Sequence, residues 1–261
     1  MSPRGNHSGR TPMRISHIAF AAACAAAPAL ADDVTYEVDG ESYEGYFAAA
    51  EGAARGLVFI VQDWDGLTDY EKRRADMLAE MGYDAFAVDM FGEGIRPAEV
   101  DHRRALTGDL YQNRDKMRAL LAGGLEQARA LSDADEIIAM GYCFGGAVTM
   151  ELARSGMADD VVGYASFHGG LSTPEGQGWS ADTPMVMVFH GGADSAIPMS
   201  EVAAFAEEME AAGAPYEIQV YSGAPHAFTV FGSDRYRERA DMESWDAFSD
   251  FMEERFSGEA S

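Results

Sequence analysis

Cys143 stands at the centre of Gly141-Tyr142-Cys143-Phe144-Gly145, after the apolar run Ile137-Ile138-Ala139-Met140 and before the helix-like AVTMELARSGM. The pattern is G-x-nucleophile-x-G. A nucleophile turned tightly between a strand and a helix needs glycine two residues to either side, because a Cβ there would meet the neighbouring chain. At the glycine content of an average protein, near 7% of residues, flanking by chance is roughly a one-in-two-hundred event. A helix beginning just after the cysteine is expected to lower the thiol pKa and to favour negative charge. The backbone N–H of Phe144 would supply half of an oxyanion hole. The competing reading is a small buried cysteine that happens to lie between glycines.

A cysteine nucleophile in such a turn needs an acid and a histidine, following it in that chain order. The apolar run Pro184–Phe189 leads into His190-Gly191-Gly192-Ala193-Asp194, and Tyr216–Tyr221 leads into Ser222-Gly223-Ala224-Pro225-His226. Asp194 and His226 therefore fit both order and position. His102 lies in a polar helical stretch, and His190 reads as a structural residue. His168-Gly169-Gly170 has the look of an oxyanion loop but follows the nucleophile, so it is set aside. Asp63 and Asp89 are rival acids that precede it. The second oxyanion donor is expected after Gly56–Val61, in Gln62-Asp63-Trp64-Asp65-Gly66, where the N–H of Trp64 is the candidate. Asp63 could contact the thiol or cap the next helix.

These loops require a framework. Strands are expected at Val34–Val38, Tyr43–Ala49, Gly56–Val61, Tyr83–Asp89, Glu136–Met140, Val161–Phe167, Pro184–Phe189 and Tyr216–Tyr221. Helices are expected at Tyr70–Met81, across 99–131, at Gly145–Ser155 and Ser200–Ala212, and from about Arg235 to Phe256. Short, wholly apolar strands alternating with helices imply an α/β fold, a mostly parallel sheet covered on both faces. Chemistry in such sheets gathers at the carboxyl ends of the strands.

The chain has 261 residues and a formal charge of −25. Residues 1–31 read as an export signal, with Met13-Arg14 as a basic start, Ile18–Leu30 as a short apolar core and a small-x-small site ending at Ala31. Met13 is a candidate true start. Cys24 fits a lipoprotein site poorly, since Ala21 stands where leucine is usual. Residues 32–261 then form one domain, in the bacterial periplasm, with Cys143 as its one cysteine. Loss of Arg4, Arg10 and Arg14 with no acid moves the charge to −28. Such a surface repels nucleic acid and anionic membranes. No cluster of histidine, cysteine and carboxylate has ligand spacing, so neither a metal nor another cofactor is called for. A monomer acting on a small molecule is expected.

Together, QDWDGLTDYEKRRADMLAEMGYDAFAVDMFGEG, GYCFGG, HGGADSAIP and GAPHAFT resemble the dienelactone hydrolase family, from about residue 34 to 255. The resemblance implies an α/β-hydrolase fold, a Cys-Asp-His triad at Cys143, Asp194 and His226, and oxyanion donors at Trp64 and Phe144. It also implies cleavage of a small ester or lactone through a thioester. Three positions depart from the family pattern. Asp63 replaces a glutamate that holds the thiol, Ala227 replaces a serine, and Val230 replaces the arginine that binds a substrate carboxylate. Arg96, Arg103 and Arg104 are candidates to compensate for the lost arginine. The alternatives are a non-catalytic small-molecule-binding protein on the same fold, or a redox-sensing thiol, against which the missing second cysteine argues.

Overall fold

The computed structural model describes Met1 and residues 31–258. The expectations placed on residues 2–30, including Met13 and Cys24, lie outside it. The expected cleavage after Ala31 falls at the first residue of the first strand.

Eight strands and six helices follow in the order β1 (Ala31–Val38), β2 (Glu41–Ala48), β3 (Leu57–Val61), α1 (Asp69–Glu80), β4 (Asp84–Val88), α2 (Val100–Gln112), α3 (Arg114–Leu131), β5 (Ile137–Tyr142), α4 (Phe144–Ser155), β6 (Val161–Phe167), β7 (Met185–Gly191), α5 (Met199–Ala212), β8 (Tyr216–Tyr221) and α6 (Glu238–Phe256). The sheet order is β1-β2-β4-β3-β5-β6-β7-β8. β1 and β2 pair antiparallel, as does β2 with β4, and every later pairing is parallel. The expected α/β architecture is the one observed.

Burial on both faces explains the apolar strands. Along β3, Leu57, Phe59 and Val61 join one core with α3, α4 and α5, whereas Val58 and Ile60 join the other with α1 and α6. Each such side chain taken fully out of water contributes about 1.5–3 kcal/mol, so the central strands fix the register of everything at their carboxyl ends.

Local chemistry sets the ends of α1. Thr68 and Glu71 form a capping box, with the Thr68 N–H donating to Glu71 Oε2 at 2.8 Å and Thr68 Oγ1 accepting from the Tyr70 amide at 3.2 Å. The helix buries Glu71, Arg74, Ala75, Leu78 and Ala79, one face at helical spacing. Two of those five are charged, and both support the site. The expected region 99–131 is two helices, broken at Asn113, whose side chain accepts the Lys116 amide at 3.2 Å. The last helix begins at Glu238, three residues later than expected, because Arg235–Arg237 belong to the turn that returns from the His226 loop; the Arg237 amide donates to Phe228 O at 2.9 Å.

Candidate active site

Cys143 sits between β5 and α4 with φ 51° and ψ −110°, in the positive-φ region that costs a side chain energy. The turn is enforced by close packing. A Cβ on Gly141 would lie 2.3 Å from the Gly145 carbonyl carbon, and one on Gly145 would lie 2.2 Å from Val61 O. The expected elbow glycines thus press α4 onto β3. A third contact was not read from the sequence: Gly146 meets Gly169, where a Cβ on Gly146 would come within 2.9 Å of the Gly169 Cα. The Cys143 amide donates to Phe167 O at 3.0 Å, tying the turn to β6.

The Asp194 and His226 loops are joined to each other before either reaches the cysteine. Gly192 and Ala193 donate to Tyr221 O and Ala224 O at 2.8 and 2.9 Å. Asp194 Oδ1 accepts the amides of Ala196 and Ile197 at 2.8 and 2.9 Å, and Oδ2 faces His226 Nδ1 at 2.8 Å. Burial opposes the Asp194 charge, but His226 and these amides outweigh it and hold the carboxyl below its ordinary range. With Nδ1–H committed to Asp194, His226 Nε2 is left as an acceptor, 3.0 Å from Cys143 Sγ. The three residues selected by chain order are brought together.

The thiol differs from expectation. Its pKa is raised well above the ordinary value, first by burial, then by the charge and hydrogen bond of Asp63. The Phe144 amide works in the expected direction but does not overcome them. Asp63 therefore contacts the thiol and does not cap α1, whose cap is Thr68. Burial pushes the Asp63 carboxyl itself up to about 6. Its Oδ1 accepts the Trp64 amide at 2.5 Å, so the expected second oxyanion donor is engaged by Asp63. Glu71 holds this loop from below, accepting the Asp63 amide at 3.1 Å. The Thr68-x-x-Glu71 box was the readable trace of that support.

Thr229 binds the far side of the His226 loop. Its hydroxyl lies 2.7 Å from Tyr70 Oη and 2.8 Å from His168 Nε2, and its carbonyl accepts from Arg74 at 3.0 Å. Arg74 is buried, paired with Asp241 and surrounded by the rings of Tyr70, Tyr142, Phe231 and Trp245. His168 is not an oxyanion residue; burial keeps it neutral, edge-on behind His226 at 5.3 Å. Asp89 accepts the amides of Glu44, Phe91 and Gly92. His190 is buried and His102 exposed.

A cavity of ≈170 Å³ opens over the thiol, lined by Trp64, Thr107, Tyr111, Cys143, Phe144, Gly170, Ile197 and His226. It is smaller than the usual range for drug-sized ligands. Thr107 and Tyr111, one helical turn apart on α2, carried no motif. None of these eight residues is a lysine or arginine. Of the arginines considered, Arg96 pairs with Glu44 and Asp89, Arg104 with Asp101 at the surface, and Arg103 stacks on Trp64 at 5.3 Å while facing Asp65. Arg103 thus backs the pocket wall without entering it.

Comparison with known proteins finds relatives over most of the chain. The profile of the Dienelactone hydrolase family matches residues 43–256. A Salmonella typhimurium protein, provisionally named a carboxymethylenebutenolidase, is 27% identical over 221 residues, covering 79% of this chain and 80% of its own. Among solved structures, m3DLH is 27% identical with a TM-score of 0.79, covering 88% of this chain and 100% of its own. A dienelactone hydrolase-like promiscuous phosphotriesterase, P91, from metagenomic libraries is 26% identical with a TM-score of 0.79, covering 88% and 99%.

Proposed function

The chain belongs to the dienelactone hydrolase family and is a carboxylic ester hydrolase or lactonase, and we propose that it acts through a Cys143-Asp194-His226 triad and a thioester intermediate. The observation that carries this reading is the unbroken chain from Asp194 through His226 to Cys143, at 2.8 and 3.0 Å.

The thiol is protonated until substrate is attacked, so His226 must act as a base rather than as the partner of a standing thiolate. As Sγ bonds to the acyl carbon, its proton passes to His226 Nε2, and Asp194 stabilises the imidazolium. The carbonyl oxygen gathers charge beside the amides of Phe144 and, once Asp63 releases it, Trp64. Collapse breaks the bond to the leaving oxygen, which takes the proton from His226. Water then gives a proton to His226 and attacks the thioester, and the released thiol recovers that proton.

The cavity volume supports a compact acyl group or lactone, and the want of a cation in its wall supports an uncharged one. The likeness to an enzyme named a promiscuous phosphotriesterase makes phosphotriesters a sensible addition to a substrate panel. Purified protein should release p-nitrophenol from a short acyl ester, and Cys143→Ala should lower this by orders of magnitude. Unchanged turnover in that variant would remove the assignment. We also propose that residues 1–31 direct export. N-terminal sequencing of protein from fractionated cells should begin at Asp32, and a start at Met1 or Met13 in the exported fraction would contradict this.

A further inference from the structure

Two hydroxyl-bearing residues line the cavity over Cys143, Thr107 and Tyr111. Thr107 has a partner, since its Oγ1 donates to Arg103 O at 3.0 Å. The Tyr111 hydroxyl has none among the described residues, and the charges that reach it are those of Cys143 first, then Arg114 and Asp63. Tyr111 is 39% exposed, so water receives its hydroxyl until a substrate takes that place.

The ring is held in place. Tyr111 packs edge-on against Phe144, the residue after the nucleophile, with centroids 5.5 Å apart. The Arg114 guanidinium lies 5.1 Å from the ring centroid and donates to Tyr111 O at 3.0 Å. Arg114 is in turn fixed by the buried Glu151 at 3.0 Å. The phenol therefore comes to the site already oriented, which is what makes a donor effective as charge develops. Its pKa is raised, first by burial and then by the charge of Cys143, so the group is an O–H donor at neutral pH. The need for such a donor is visible at Trp64, whose amide is taken up by Asp63 at 2.5 Å.

We propose that Tyr111 is a catalytic residue of this site, its phenol O–H donating a hydrogen bond to the substrate's acyl oxygen as negative charge develops there during attack by Cys143. No proton is transferred in this step; the phenol lends a third donor to the oxyanion and keeps its hydrogen. The inference rests on the assignment of Cys143 as nucleophile.

The test compares wild type, Tyr111→Phe and Cys143→Ala as full chains, using p-nitrophenyl acetate and a trifluoromethyl ketone, which traps a tetrahedral adduct. Tyr111→Phe keeps the ring and removes only the hydroxyl. The expected result is a fall in kcat of about 10²-fold with KM changed less than about twofold, and a matching loss of ketone affinity. Alkylation of Cys143 by iodoacetamide forms no oxyanion, so its rate should stay within about twofold of wild type. Unchanged kcat, or a rise in KM alone, would overturn the proposal while leaving Cys143 as nucleophile. A kcat loss accompanied by an equal loss of alkylation rate would also overturn it, because the phenol would then only be placing the thiol. Full turnover by Cys143→Ala would overturn both this inference and the reading beneath it.

Discussion

Asp63 acts on two groups at once: its carboxylate competes with His226 Nε2 for the single Cys143 S–H, and its Oδ1 accepts the Trp64 amide at 2.5 Å. One short side chain thus restrains both the nucleophile and a donor meant for the oxyanion. Above pH about 6 it is ionised, and its charge adds to burial in holding the thiol protonated.

Asp63→Asn should therefore lower the thiol pKa and speed iodoacetamide alkylation, by about threefold to fourfold for a tenfold rise in the thiolate fraction. The sign of the pH dependence follows from Asp63 itself. Below about 6 the wild-type carboxyl is neutral and resembles the amide, so the two rates converge; above it they separate in the variant's favour. A rate ratio that is constant from pH 5 to pH 8 would show that the charge of Asp63 does not govern the thiol.

The elbow glycines are expected to fail as alanines according to what each Cβ would meet. Gly145→Ala places a Cβ 2.2 Å from a β3 carbonyl, against backbone that cannot move away. Gly146→Ala meets Ser166 Oγ at 2.6 Å and the Gly169 backbone. Each should cost about 1–3 kcal/mol or more in urea unfolding, with Gly145 the worse. A midpoint like that of wild type for Gly145→Ala would contradict the close packing of α4 on β3.

Asp241→Ala should destabilise the fold by about 3–5 kcal/mol, since it strands the buried Arg74 charge. Arg74 also holds the Thr229 carbonyl, so the loss should lower esterase activity below the unfolding transition as well. Thermal unfolding followed alongside turnover separates the two effects. A stable variant with full activity would show that this ion pair positions nothing.

Substrate charge offers a fourth check. With no lysine or arginine in the cavity wall and a strongly acidic surface, kcat/KM for an acyl ester bearing a terminal carboxylate should fall below that of its neutral isostere. The difference should narrow as salt screens the repulsion. A preference for the anionic ester would mean that Arg103, now stacked on Trp64, turns into the pocket.

Much of this site was legible because its parts are marked by composition. Glycines at 141 and 145 can be seen in the sequence, and apolar strands end visibly before Asp194 and His226. The parts that escaped were set by packing across the chain. Gly146 matters because Gly169 comes from another strand's loop to meet it, and neither residue announces its partner. Tyr111 and Thr107 enter from α2, whose polar sequence gives no hint of the face that is turned to the cavity. The thiol pKa went against the helix-terminus expectation because burial and the approach of Asp63 come from tertiary packing, and they outweigh what one amide supplies.

The central claim is that Cys143 becomes acylated, and intact-protein mass spectrometry tests it most directly. Acid quenching within the first turnovers of a short acyl p-nitrophenyl ester should show one added acyl group, located on Cys143 in the peptide map and absent from Cys143→Ala. In His226→Ala the adduct should build up far more slowly, since the thiol then lacks its base. An acyl group on any other residue, or full turnover with no covalent adduct under conditions that trap one, would contradict a thioester mechanism at this site.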